Sequence, residues 1–168
     1  MQKGFSLVEL IVSVAIISTL STIGITSYAS SQRRAQLDAD VISVYSAIRK
    51  AQNRALSPSK SDFGIAETDE LCALGVDFQS PNRIRPFAIS RSPGPGAPCG
   101  SSGLPKVYRG ETLLSTSSFG HTGTIEVLFS PPFAQKQSTG NTNIQIRNSG
   151  NTLTKTITIS STGLIKTN

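Results

Sequence analysis

The chain has 168 residues, sixteen basic side chains against ten acidic ones, and a formal net charge of +6. That length holds one ordinary domain plus an appendage. With no Trp, few aromatics and no run of five like charges, it suits short strands and turns better than a helical enzyme core, and nothing in it demands a nucleic-acid role.

The first element opens with "KGFSLVELIVSVAIISTL", residues 3–20. From Phe5 to Tyr28 the only charged side chain is Glu9. Phe5–Ile25 spans roughly 31 Å as a helix, close to the hydrocarbon thickness of a bilayer. A carboxylate at bilayer depth costs roughly 2.5–3.5 kcal/mol, so one that is retained is a functional-site hypothesis. A secretory signal peptide would need a more basic start, a shorter apolar stretch and a cleavage site. "SYASS" at 27–31 is the one segment that fits such a site.

The helix continues beyond the apolar run. Leu37, Val41, Val44, Ile48, Ala51 and Ala55 recur at spacings of three and four, a stripe that predicts packing against a globular head. Arg33, Arg34, Asp38, Asp40, Arg49, Lys50 and Arg54 are read as decorating the other faces. "STLSTIGIT" (18–26) is a weak helical stretch, and Ser57–Pro58 ends the helix.

After Pro58 the spacing predicts strands at 71–78, 85–90, 106–110, 111–119, 124–129, 143–148 and 152–160. "STG" at 161–163 then turns into a terminal hairpin strand at 164–168. Pro131–Pro132 closes the 124–129 strand. A Pro/Gly-rich loop at 91–105 carries Cys99. Cys72 and Cys99 are a candidate disulfide if the chain is exported; free thiols are the alternative in a cytosolic setting. No metal site is expected, because no closely spaced Cys pair occurs and His121 is the only histidine. The predicted class is α+β: a long N-terminal hydrophobic helical spine, its inner half transmembrane, on a C-terminal antiparallel β-sheet or β-sandwich head.

"GFSLVEL" at Gly4–Leu10, followed by the apolar span, resembles the signal of type IV pilins and type II secretion pseudopilins. The resemblance covers the first ~30 residues. It implies a leader at 1–4, a membrane and filament-core half of the spine at 5–29, and a head at 30–168. The head divides into an outer helix half, 30–56, and a β-rich part, 57–168. It also implies cleavage by a prepilin peptidase between Gly4 and Phe5, N-methylation of Phe5, and insertion in the bacterial inner membrane with the head outside the cytoplasm. Other pilins, an inner-membrane assembly platform and membrane lipid are the implied partners. Glu9 would meet the amine of a neighbouring Phe5; spacing puts Glu9 one helical turn from Phe5 on nearly the same face.

A spine ending near 56, an all-β head and "ITISSTGLIK" (157–166) are similar to the GspH/FimT-like minor pseudopilins and minor pilins. Two departures stand out. The inner spine has no proline, so any kink falls to Gly24 and its Ser/Thr neighbours. DNA-uptake members carry an Arg-rich motif after the terminal Gly, whereas Gly163 is followed here by Leu164, Ile165 and Lys166. Arg147, Lys155 and Lys166 remain a candidate weak nucleic-acid face, which leaves nucleic acid a partner that is not favoured.

No phosphate-binding loop, nucleophile elbow or triad context occurs. No enzyme activity and no cofactor are expected. His121, in "FGHTG", is read as an exposed loop residue. The function expected is a structural, minor filament subunit. A DNA-binding tip subunit of a competence pilus is the alternative, and a secreted or anchored β-domain protein unrelated to filaments the remote one.

Overall fold

The computed structural model describes residues 6–92, 98–99, 103–137 and 140–168, with the side chains of 22–27 left aside. Two compact units emerge, residues 1–35 and residues 36–168. One helix, α1 (Leu7–Leu56), contributes to both, and its backbone stays helical through the weak 18–26 stretch.

From Leu7 to Leu20, within the first unit, α1 shows aliphatic side chains on every side. Leu7, Val8, Leu10, Ile11, Val12, Val14, Ile16, Ile17 and Leu20 are each more than half exposed. Among the described residues no helix is long and apolar enough to cross a membrane.

In the second unit α1 turns amphipathic. Leu37, Val41, Val44, Ile48, Ala51 and Ala55 are all buried, as a 3–4 spacing requires of a helix packed on one face. After a short 3₁₀ turn (Ser61–Phe63) every described element is a β-strand. Six strands form the first sheet: β1 (Glu70–Gln79), β2 (Arg83–Arg91), β3 (Lys106–Tyr108), β4 (Thr112–Leu113), β6 (Thr124–Ser130) and β7 (Gln135–Lys136). The order is β3-β2-β1-β6-β7, with β4 beside β3 on the same edge of β2. The second sheet is β10-β9-β8-β5, built from β5 (Ser117–Phe119), β8 (Thr142–Asn148), β9 (Thr154–Ile159) and β10 (Ile165–Thr167). All described pairings are antiparallel.

The helix stripe and the inner faces of both sheets share one core. Leu74, Val76, Phe78, Val127 and Phe129 come from the first sheet, Ile144, Ile146, Ile157 and Ile159 from the second. Alternation explains both sets, since every second side chain of a strand points inward.

The outer face of the first sheet has its own cover. Gly75 leaves room for the Phe87 ring: a Cβ there would lie 2.6 Å from the Val127 carbonyl oxygen and 3.1 Å from Phe87 Cζ. Phe87 is fully buried, with Tyr108 at 5.6 Å and the Lys106 ammonium 5.2 Å above its ring. Lys106 pairs with Glu126. Beside them Asp77 is buried in a bidentate pair with Arg85, at 3.1 and 2.8 Å, and Arg85 stacks on Tyr108.

Pro131–Pro132 closes β6, as expected: the strand ends at Ser130 and the chain turns, after which β7 pairs back onto β6. One expectation needs correction. His121 is half-buried rather than an exposed loop residue. Its Nε2 lies 3.0 Å from the Phe78 carbonyl oxygen and its ring 5.4 Å from Phe119, because the turn before β6 folds against the end of β1.

Candidate functional site

The first unit carries the sequence feature with the sharpest chemical content. An apolar helix that contains Ser and Thr must satisfy their hydroxyls within itself if it is to leave water. Here Ser13 donates to the Glu9 carbonyl at 2.6 Å, Ser18 to Val14 at 2.8 Å, Thr19 to Ile16 at 2.8 Å and Ser21 to Ile17 at 2.8 Å. Between Leu7 and Ser21 what remains on the outside is hydrocarbon and one carboxylate. Glu9, in the first turn of α1, is exposed and makes no ion pair among the described residues. A contiguous apolar surface of this size on a folded chain marks a membrane or protein contact. Gly4 and Phe5 lie outside the described residues.

Residues 1–25 match the family described as the prokaryotic N-terminal methylation motif. This is the N-terminal motif of type IV pilin-like proteins. The motif belongs to a structural pilin family, not to an enzyme. It implies processing by a prepilin peptidase, assembly with other pilins and attachment to a membrane. No curated protein and no solved structure matches the chain.

In the second unit Cys72 and Cys99 form a disulfide with Cα atoms 5.2 Å apart, tying the start of β1 to the segment after β2. The three cations read as a phosphate-binding face are divided. Ladder register puts Arg147 with Thr154 and Lys166 with Thr158 on the outer face of the second sheet, whereas Lys155 lies opposite the buried Ile146, on the inner side. The Lys155 ammonium is bound to Asp38 of α1 at 2.6 Å. Arg147 and Lys166 stand roughly 17 Å apart, two strands across and four residues along. Arg147 also donates to Gln145 at 3.3 Å.

One anchor escaped the sequence reading. The sequence puts Asp40 among the charges that decorate the other faces of α1, but it is buried. Its carboxylate accepts the backbone N–H of Ser115 (3.1 Å), Thr116 (3.3 Å) and Ser117 (3.0 Å), and the Ser115 hydroxyl at 3.2 Å. Burial alone would raise its pKa; the donors of Ser117, Ser115 and Thr116 outweigh burial and hold the carboxyl below its ordinary range. A clue was in the spacing. Asp40 stands three residues after Leu37 and four before Val44, on the face of the apolar stripe.

Proposed function

We propose that the protein is a structural, minor subunit of a type IV pilus-like or type II secretion pseudopilus filament. The observation that carries this reading is the methylation motif at residues 1–25, placed at the head of an apolar helix. A prepilin peptidase removes 1–4 and methylates Phe5. The spine half 5–29 holds the subunit in the inner membrane, and the head, 30–168, faces away from the cytoplasm. An assembly platform in that membrane then lifts the subunit into a helical bundle.

Three features support the steps. The sequence run Phe5–Ile25 is long enough to span the hydrocarbon, at roughly 31 Å. The hydroxyls of Ser13, Ser18, Thr19 and Ser21 bond within the helix, which lets the same surface lie against lipid or against other spines. The Cys72–Cys99 disulfide suits an oxidising space outside the cytoplasm. Within the bundle the Glu9 carboxylate meets the methylated amine of an adjoining subunit. A buried pair loses roughly 3–5 kcal/mol when one partner goes, enough to set register. A β-rich head ending in a strand–Ser–Thr–Gly–strand hairpin supports the GspH/FimT-like minor class.

N-terminal mass analysis of the mature protein tests the proposal. The expected product begins at Phe5 and carries one added methyl group. Cleavage near Ala29 would instead make it a secreted β-domain protein. A DNA-binding tip role is the second reading. It would rest on Arg147 and Lys166 alone, since Lys155 is held by Asp38.

A further inference from the structure

The second unit contains a cleft of about 420 Å³ between the outer turns of α1 and the stretch running from β3 to β4. Its floor is hydrocarbon: Ala47 and Ala51 from α1, Ile84 and Pro86 from β2. Its rim is cationic: Lys50 and Arg54 from α1 and Arg109 just after β3.

These charges are poorly spent within the chain. Lys50 is exposed and has no hydrogen-bond or ion-pair partner among the described residues. Arg109 reaches only the Ser61 carbonyl, at 3.5 Å. Arg54 stands 3.9 Å from Asp62, at the edge of an ion pair, and rests over the Phe63 ring. Among the described residues Glu111 is the one acid in the lining, and Arg83 faces it at 3.5 Å. The cleft therefore offers net positive charge above an apolar base.

We propose that this cleft takes an acidic peptide segment of a partner protein. A carboxylate sits between Lys50 and Arg109, and an adjoining aliphatic side chain rests on the Ala47–Ile84–Pro86 floor. The floor favours an aliphatic peptide side chain over a nucleic-acid base, because no aromatic ring lies in the described lining for a base to stack on. The volume suits one or two side chains. The inference stands on the second unit alone and holds whether or not the filament reading does.

The test uses the full-length protein in detergent micelles and a fluorescein-labelled hexapeptide with alternating Glu and Leu, read by anisotropy. The same peptide with Gln for Glu is the control. The Glu peptide should bind at least tenfold more tightly than the Gln peptide, and 0.5 M salt should abolish most of that difference. Lys50→Gln with Arg109→Gln should weaken binding at least tenfold, while Arg147→Gln with Lys166→Gln should leave it unchanged. Lys50→Glu with Arg109→Glu should reverse the preference toward a Lys–Leu peptide, an outcome that misfolding cannot imitate. Equal binding of the Glu and Gln peptides, unaltered binding by the Gln double variant, or no reversal would each overturn the proposal. Tighter competition by a single-stranded oligonucleotide or by inorganic phosphate would overturn it too and make the cleft a phosphate site.

Discussion

Glu9 and Asp40 are both carboxylates on one helix, and their surroundings give them opposite tasks. Glu9 is exposed among exposed aliphatic side chains, without an ion-pair partner among the described residues. Glu9→Gln keeps the shape and removes the charge. It should lower incorporation into filaments at least tenfold while the processed, methylated subunit still accumulates in the membrane, as fractionation and mass analysis would read. Asp40 already has its partners, three backbone N–H groups. Asp40→Ala strands those donors in the interior and should cost roughly 2–4 kcal/mol, measured as a lower midpoint in thermal circular dichroism. The pH dependence has a definite sign. Because the folded carboxyl titrates below its unfolded value, near 3.9, its contribution is complete above about pH 5. It fades as pH falls through the folded pKa. The stability gap between wild type and Asp40→Ala should therefore narrow between pH 5 and pH 2.

Among the elements, the helix stripe and the alternating strands were legible in the sequence because their information is local. Leu37 to Ala55 repeats at helical spacing and is buried throughout; Ile125, Val127 and Phe129 alternate within β6, with Val127 and Phe129 fully buried. β7 was not legible, being two residues held only by pairing with β6. The role of Asp40 was hidden for a related reason, since its donors lie some 75 residues on. The cover over the outer face of the first sheet was equally invisible. Nothing near "LCALGVDF" tells that Phe87 fills the space over Gly75, or that Arg85 meets the buried Asp77. Gly75→Ala tests that arrangement. Its Cβ would press on the Val127 carbonyl, a backbone group that cannot swing aside, so the variant should lose roughly 1–3 kcal/mol. A denaturant melt of the full chain in micelles would show it.

Over the whole molecule, the two units draw on different physics. The first exposes aliphatic surface around the helix and bonds the hydroxyls of Ser13, Ser18, Thr19 and Ser21 within it. The second buries one core shared by α1 and two sheets and adds a covalent tie across 27 residues. Removing that tie with Cys72→Ser and Cys99→Ser should lower stability by up to roughly 3–4 kcal/mol on the chain-entropy model. The thermal midpoint of the second unit should drop in both the double variant and the reduced wild type.

The same cystine has a practical corollary. A protease that cuts the chain once anywhere between the two half-cystines leaves two fragments still joined by sulfur. Such nicked molecules migrate as intact protein on a non-reducing gel and come apart only when a thiol is added, so a preparation judged whole without reductant can already be in two pieces.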